Sequence, residues 1–272
     1  MPEILQRERE PDLAYHYTPP ANGQPTVVFL GGFRSDMQGT KAAFLDLFCQ
    51  ENNLGYLRFD YSGHGQSGGD FKDGTISHWL ADTIAMIENV ADGPCLLVGS
   101  SMGGWIGMLT ARRMPARICG FIGIAAAPDF TRDVAAGLSA DQKQQMEKQG
   151  YAEQPTPYSP DPHIFTKALI EDGEDHCLLD GEIEISAPVS LLQGMDDADV
   201  PWQKAVRAAR LLRPDPPHLL LVDKADHRFS APPLLDLLGG EILDMTGQNT
   251  PPKGDHATSP VMAGLYLPQD LA

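Results

Sequence analysis

The segment Gly99 to Gly103 carries the pattern G-x-S-x-G, with a serine hydroxyl between two glycines. It follows the apolar run "CLLV" and precedes the amphipathic segment "MGGWIGMLTARR". A serine on such a sharp strand-to-helix turn is a nucleophile, and side chains two positions before and after it would clash. Ser101 has glycine at both positions and Ser100 has not, so Ser101 is the predicted nucleophile. A helix beginning at Met102 directs its first N–H groups at charge that develops beside Ser101.

A base and an acid are needed beside this serine, because a serine hydroxyl is unreactive near neutral pH without them. In strand–elbow–helix architectures the acid and then the histidine follow the serine, each in a loop after a strand. Of the eight histidines, His227 is the one that follows a late strand, in "LLLVDKADHRF". The preceding strand leads into "QGMDDADVPW", where Asp196, Asp197 and Asp199 are all candidates for the acid.

A second glycine-rich segment, "GHGQSG" (63–68), matches the G-x-G-x-x-G pattern of dinucleotide-binding proteins. That fingerprint requires a helix that opens on the last glycine and faces the pyrophosphate. The following residues, "GDFKDGT", cannot start a helix at that point. Neither glycine cluster has the G-x-x-x-x-G-K-[ST] pattern of a P-loop. No nucleotide, cofactor or metal site is therefore predicted.

Strands and helices alternate around these segments. The predicted strands are "TVVFLGG", "GYLRFDYSG", "PCLLVGS", "ICGFIGIAAAP", "PVSLLQG" and "PHLLLVDKADH". The predicted helices are "TKAAFLDLFCQEN", "SHWLADTIAMIENVA" with Ser77 as its N-cap, "MGGWIGMLTARR" and "WQKAVRAARLLR". Near-continuous apolar strands that alternate with amphipathic helices indicate an α/β fold, with a mostly parallel sheet covered on both faces.

The alternation stops after Pro128, and residues 129–186 are polar and proline-rich. Within them a helix is predicted from Ser139, whose pairing with Gln142 is a capping box, and another near Thr166. We expect a small lid insertion in a single domain of residues 1–272, with an irregular tail over 248–272. The apolar side chains expected to wall an acyl pocket are Phe130, Tyr151, Tyr158, Ile164, Phe165 and Leu169, with Phe165 and Leu169 as the substrate-binding pair.

Composition limits the classes of partner. The chain has 272 residues and a formal net charge of −17, which repels nucleic-acid backbones and anionic lipid. Its four cysteines have no C-x-x-C spacing, which argues against a zinc site or a disulfide framework. The first 25 residues hold no apolar core of signal-peptide length, and no apolar run reaches the ~20 residues of a membrane span. We therefore expect a cytoplasmic protein whose partner is a small molecule.

Several segments together resemble the α/β-hydrolase superfamily: "FLGGF", "FDYSGHGQS", "GSSMGG", "QGMDDADVP" and "ADH", in this order. The resemblance implies that the acid is the Asp of an H-G-x-x-D-x-x-V-P pattern. Residues 193–201 match it with glutamine in place of histidine, which selects Asp197. It also implies an oxyanion hole formed by the backbone N–H groups of Phe33 and Met102.

More narrowly, "LRFDYSGHGQSGG", "ADGPCLLVGSSMGGW" and "GMDDADVPW" are similar to the subfamily of the mitochondrial acyl-glucuronide esterase and palmitoyl-protein thioesterase. This resemblance implies hydrolysis of esters and thioesters without a cofactor. Two alternatives share the fold: a hydrolase acting on an amide or a lactone, and a ligand-binding receptor with weak turnover. A dehalogenase would carry aspartate at the position of Ser101.

Overall fold

The computed structural model describes residues 1–21, 23–157 and 159–248. The strands are β1 (Glu3–Leu5), β2 (Leu13–Thr18), β3 (Thr26–Leu30), β4 (Gly55–Phe59), β5 (Cys95–Ser100), β6 (Ile118–Ile124), β7 (Tyr151–Gln154), β8 (His163–Thr166), β9 (Ile183–Glu184), β10 (Val189–Gly194), β11 (Leu212–Arg213) and β12 (His218–Val222). The helices are α1 (Thr40–Glu51), α2 (Ile76–Asn89), α3 (Met102–Arg113), α4 (Phe130–Gly137), α5 (Ala140–Gln149), α6 (Lys167–Glu174), α7 (Trp202–Leu211) and α8 (Pro232–Met245), with a 3-10 turn at Phe71–Asp73.

Within the described part of the chain, eight strands form one sheet in the order β1-β2-β4-β3-β5-β6-β10-β12. The pairs from β4 to β12 are parallel, and β1 and β2 add an antiparallel edge. The predicted mostly parallel sheet is confirmed, and β1 and β2 were not predicted. Since parallel strands end at the same edge, the loops after β3, β4, β5, β10 and β12 meet there.

The core lies on both faces of this sheet, as the alternation of side chains along β3 shows. Val28 packs on the face that carries Trp79 of α2 and Trp105 of α3. Val27 packs on the opposite face, where α1 and α8 contribute buried leucines. Because neighbouring strand residues point to opposite faces, a continuous apolar strand such as "TVVFL" requires helices on both sides.

The start of α2 differs from the prediction. The N-cap is Thr75, whose hydroxyl accepts the N–H of His78, and not Ser77. Threonine is also a capping residue, so the helix starts two residues before the predicted cap. Ser77 lies in the first turn, where its N–H donates to the carboxylate of Asp172 and its Oγ lies 2.7 Å from His176 Nε2. Ser77 therefore ties α2 to the insertion.

The insertion contains α4, α5, the antiparallel hairpin β7–β8 and α6. The predicted capping box of Ser139 and Gln142 is present, and Thr166 caps α6. The hairpin was not predicted, because its strands have four residues each and one of them is polar. The two ends of the insertion are joined by Asp129, whose carboxylate accepts the N–H groups of Leu178 and Leu179.

Two sequence-based expectations fall on positions that the structure does not describe. Tyr158 and the tail after residue 248 lie outside the described residues. In the ranges that are described, no helix is long and apolar enough to cross a membrane.

Candidate functional site

Ser101 stands between β5 and α3 with φ 55° and ψ −117°. Such a positive φ costs of order 1–3 kcal/mol for a residue with a side chain and persists only where its surroundings fix it. The fixing contacts come from β6 and the loop after it. The N–H of Ser101 donates to the carbonyl of Ile124 at 2.9 Å, and its carbonyl accepts the N–H of Ala127 at 3.0 Å. The turn thus presents the Ser101 hydroxyl at the edge of the sheet.

The flanking glycines are a steric requirement of this turn. A Cβ atom on Gly103 would lie 2.0 Å from the carbonyl oxygen of Leu30, and one on Gly99 would lie 2.3 Å from the carbonyl oxygen of Gly103. Both distances are far below van der Waals contact with backbone atoms that cannot move aside. The G-x-S-x-G pattern therefore permits the close approach of α3 to β5 and β3.

His227 links Ser101 to Asp197. Its Nε2 lies 3.1 Å from Ser101 Oγ, and its Nδ1 lies 2.8 Å from Asp197 Oδ2. A carboxylate accepts hydrogen bonds only, so Nδ1 carries the hydrogen and Nε2 has the lone pair that faces the serine hydroxyl. This arrangement can take a proton from Ser101 and stabilise the resulting imidazolium.

The structure also discriminates among the three candidate acids. Asp196 and Asp199 are exposed, whereas the side chain of Asp197 is fully buried against His227. Burial raises the pKa of Asp197, but hydrogen bonds from His227 and from the N–H groups of Val200 and Asp199 outweigh it, so the pKa lies below its usual value. Asp197 is therefore the carboxylate positioned to act on His227.

Gln193, at the position where the family pattern has histidine, was not predicted to contribute. Its side chain is completely buried, and its Nε2 donates to Asp197 Oδ2 at 2.9 Å and faces the carbonyl oxygens of Val200 and Gly194 at 3.1 and 3.2 Å. Three acceptors around one atom identify that atom as the amide nitrogen. The signal in the sequence was the departure from the family pattern.

The two predicted oxyanion donors lie beside Ser101. Met102 is the first residue of α3, whose first N–H groups have no partner within the helix. A Cβ atom on Gly32, next to Phe33, would lie 3.5 Å from Ser101 Cβ, so the loop after β3 runs directly past the serine. Phe33 and Met102 line the same cavity as Ser101 and His227.

This cavity has a volume of about 720 Å³ and lies between the sheet edge and the insertion. Its apolar wall is formed by Phe33, Met102, Phe130, Val134 and Phe165. The lining also includes polar and cationic side chains, among them Arg34, Ser35, Lys41, Arg228 and Ser230. A pocket of this size and composition is typical of small-molecule sites.

The two predicted substrate-binding side chains have different positions. Phe165 lines the cavity and stacks on Phe33, with ring centroids 5.0 Å apart and planes 8° from parallel. Leu169 does not line the cavity: it is 2% exposed and packs in the main core on the α2–α3 side of the sheet. The structure thus places Leu169 in the core and not at the cavity, because its helix α6 packs against α2 and α4. Tyr151 and Ile164, also expected as wall residues, are not among the lining residues either, whereas Phe130 is.

Lys41 is the most buried cation at this cavity. Its Nζ donates to the carbonyl oxygen of Arg228 and lies 3.4 Å from Ser230 Oγ. Burial lowers the pKa of Lys41 to about 8, although Asp226 acts in the opposite direction. The cavity lining therefore includes a cation whose pKa lies well below that of an exposed lysine.

In the described ranges, one cluster of three His, Cys, Asp or Glu side chains has potential metal-ligand atoms within 4.8 Å of one another. It consists of Asp197, Asp199 and His227. Asp197 and His227 already use these atoms to bond to each other and to backbone N–H groups. The group therefore fits an acid–imidazole pair, and we assign no metal to it.

Comparison with known proteins identifies relatives of this chain. A family model described as serine aminopeptidase, S33, matches residues 21–227. The mouse protein named palmitoyl-protein thioesterase ABHD10, mitochondrial, is 34% identical over 244 residues, which are 89% of this chain and 81% of the relative. The human protein of the same name is 34% identical over 243 residues, covering 89% of this chain and 79% of the relative.

Solved structures agree with this result. A putative hydrolase from Agrobacterium vitis S4 has a TM-score of 0.86 and 40% identity, covering 90% of this chain and 98% of the other. The mouse alpha/beta hydrolase domain-containing protein 10 has a TM-score of 0.83 and 32% identity, covering 91% of this chain and 99% of the other. The predicted α/β-hydrolase fold is thereby confirmed.

Proposed function

Because this chain belongs to the α/β-hydrolase family whose model is described as serine aminopeptidase, S33, we propose that it cleaves carboxylic esters or thioesters through an acyl-enzyme on Ser101. The observation that carries the proposal is the hydrogen-bonded row from Ser101 Oγ through His227 to Asp197, with distances of 3.1 and 2.8 Å. The row lies at a cavity with an apolar wall. These are the groups that acyl transfer needs.

The reaction begins when Ser101 Oγ attacks the acyl carbonyl carbon and its proton passes to His227 Nε2. Asp197 keeps its hydrogen bond to Nδ1 and stabilises the imidazolium. The carbon–oxygen or carbon–sulfur bond of the substrate then breaks, and His227 returns the proton to the leaving alcohol or thiol. In the second half, His227 takes a proton from water as the water oxygen attacks the acyl carbon. The bond from that carbon to Ser101 Oγ then breaks, His227 returns the proton to Oγ, and the carboxylic acid leaves.

The negative charge of each tetrahedral intermediate falls on the former carbonyl oxygen. The N–H groups of Phe33 and Met102 bind this oxygen in the proposed mechanism. The loss of one such donor typically costs about 2.7–4 kcal/mol of transition-state stabilisation. Both donors belong to the backbone, so the glycine pair at residues 31–32 in place of the family's His-Gly does not remove a donor.

The apolar side of the cavity is the proposed acyl site. Phe130 and Phe165, from the lid insertion over 129–186, form it together with Phe33. The relatives from mouse and human are named as palmitoyl-protein thioesterases, which supports an acyl thioester or ester with an apolar chain. We infer that the leaving group lies against polar lining residues, among them Arg34 and Lys41.

The expected cytoplasmic location also remains a proposal. The four cysteines are unpaired, which supports a reducing compartment. The relatives from mouse and human are named as mitochondrial proteins. Fractionation of cells that express the full chain with a C-terminal tag tests the location, and recovery with an organelle fraction would overturn it.

The proposed activity is tested with p-nitrophenyl esters of rising chain length, an acyl thioester and a matched p-nitroanilide, with Ser101→Ala as the control. We expect turnover of esters and thioesters that is lost in the variant. Turnover of the anilide alone would identify a peptidase and contradict the proposal. Absence of both turnover and acyl-enzyme would favour a ligand-binding receptor.

A further inference from the structure

The glycine-rich segment 63–68 has no role in the proposed mechanism so far. It lies against the loop that carries Phe33. We call residues 31–37 the oxyanion loop and residues 60–68 the support loop. Two contacts join them. The N–H of Arg34 donates to His64 Nε2 at 3.2 Å, and the N–H of Met37 donates to Asp60 Oδ1 at 2.7 Å.

The oxyanion loop needs such contacts because its backbone is strained. Arg34, immediately after Phe33, has φ 58° although it is not a glycine. A residue of this kind holds its conformation only where neighbouring groups fix it. The peptide between Phe33 and Arg34 supplies the Arg34 N–H that His64 accepts, so the orientation of this peptide depends on the histidine.

The tautomer of His64 follows from its two partners. Nδ1 lies 3.2 Å from the carbonyl oxygen of Ser62, which can only accept, so Nδ1 carries the hydrogen. Nε2 then has the lone pair that accepts the Arg34 N–H. The ring is 4% exposed and packs edge-on against Phe71 and Trp79. Burial lowers the pKa of His64 to about 4, which keeps the ring in the neutral form that can accept.

The second support, Asp60, is buried and accepts through both carboxylate oxygens. Oδ1 accepts the Met37 N–H, and Oδ2 accepts the N–H of Gln66 at 2.8 Å. The sequence makes room for this carboxylate with Gly65, which has φ 46° and on which a Cβ atom would lie 2.1 Å from Asp60 Oδ2. Gly65, within the segment that matches the dinucleotide fingerprint, therefore leaves room for the Asp60 carboxylate.

We propose that His64 is a positioning residue for the proposed hydrolysis, holding the Arg34 amide so that the neighbouring Phe33 N–H faces the oxyanion. The inference rests on the proposed function, since it assigns a purpose to the Phe33 amide in that mechanism. His64 touches no reacting atom and acts through the backbone of the oxyanion loop. Asp60 fixes the far end of the same loop.

The test compares His64→Phe, which keeps an aromatic ring among Phe71 and Trp79 but lacks the acceptor, with His64→Gln, which keeps an acceptor oxygen. On an acetyl ester we expect His64→Phe to lower kcat by about 10- to 100-fold, less than full loss of a donor, with KM within twofold. Affinity for a trifluoromethyl ketone, whose hemiketal oxygen occupies the oxyanion position, should fall in parallel. His64→Gln should recover most of both losses.

A readout independent of turnover is hydrogen exchange at the Arg34 amide, which should accelerate in His64→Phe and return toward the original rate in His64→Gln. The exposed His78 provides the control His78→Phe, which should change none of these quantities. If His64→Phe fails to fold, Asp60→Asn replaces it, since one of the two acceptor oxygens becomes an NH2 group, which can only donate. Asp60→Asn should also lower kcat and leave KM unchanged.

Normal kcat, normal ketone affinity and unchanged exchange in folded His64→Phe would overturn the inference. Equal losses in His64→Phe and His64→Gln would also overturn it, because packing rather than the acceptor would then matter. Failure of the proposed function is distinguishable, since the unaltered protein would then turn over no ester or thioester. A positioning role in that reaction would fall with it, and the exchange data would still report whether His64 holds the loop.

Discussion

The sheet edge that carries Ser101, Asp197 and His227 and the insertion over 129–186 are held in place by different kinds of interaction. At the edge, backbone hydrogen bonds to Ile124 and Ala127 hold Ser101. The carboxylate of Asp197 accepts two backbone N–H groups from the residues that follow it. The insertion is held mainly by side chains, such as Phe165 against Phe33 and Ser77 against His176. Short patterns around Ser101 and Asp197 encode the turns of the edge, although Ser101 also needs Ile124 and Ala127. The insertion depends on side-chain partners far away in the chain.

This difference separates chemistry from selectivity. The edge supplies a hydroxyl, an imidazole, a carboxylate and backbone N–H groups, none of which senses the length of an acyl chain. Apolar contact does sense it, at about 0.8 kcal/mol for each buried CH₂. We therefore expect changes at the edge to alter the rate for all substrates and changes at the cavity wall of the insertion to alter the preference among them.

The largest effect is expected at Ser101, the proposed nucleophile. Ser101→Ala should lower kcat on every ester by about 10⁵- to 10⁶-fold, because no other group replaces the hydroxyl. A fluorophosphonate should add a single adduct to the unaltered protein, at Ser101, by mass spectrometry. Ser100→Ala is the matched control and should retain the adduct. Labelling that depends on Ser100 rather than Ser101 would refute the assignment.

The next effect concerns the acid. Asp197→Asn should preserve folding and lower kcat by about 10³- to 10⁴-fold, since His227 loses the partner that fixes its tautomer. Asp196→Asn and Asp199→Asn are the controls, because both side chains are exposed. Their losses should be much smaller in the same assay. Similar losses in all three variants would mean that the loop is a structural unit without a dedicated acid.

A smaller and selective effect is expected in the insertion. Phe165→Ala should shift the preferred acyl chain length, at about fourfold in relative kcat/KM for each CH₂ that loses contact, and change acetyl ester turnover by only a few fold. Leu169→Ala should instead lower the free energy of unfolding by about 2–5 kcal/mol with an unchanged chain-length profile. Ester kinetics and urea unfolding of both variants distinguish the pocket role of Phe165 from the core role of Leu169. A parallel loss on all esters with reduced stability in Phe165→Ala would refute the pocket role.

The smallest effect is a pH dependence of stability. The folded pKa of Asp197 is below its ordinary value, so this carboxylate stabilises the fold above about pH 4, the unfolded pKa. The contribution is lost as the pH falls through the folded pKa, because the unfolded state then binds its proton first. Urea unfolding should show a difference between the unaltered protein and Asp197→Asn that shrinks as the pH falls below about 4. A difference that grew below that pH would contradict the hydrogen-bond assignment.

Local sequence patterns determined much of this molecule. The order of apolar strands and amphipathic helices was sufficient for the parallel sheet, since every strand buried on both faces needs helices on both sides. Ser101 followed from two glycines, and His227 from its place after the last strand. These features involve neighbours in the chain or the sequential order of elements, and both can be read without coordinates.

Tertiary structure alone decided which distant side chains meet. Asp197 could be identified as the acid, rather than Asp196 or Asp199, only from a family pattern or from its contact with His227. The hairpin β7–β8, the burial of Leu169 and the stacking of Phe165 on Phe33 depend on how the insertion packs against the sheet. His64 beneath the oxyanion loop is a contact across 30 residues. A short periodic pattern predicts that a strand or helix forms and which of its faces is apolar. How the element is rotated and how deeply it packs depend on the sum of many weak, non-local contacts.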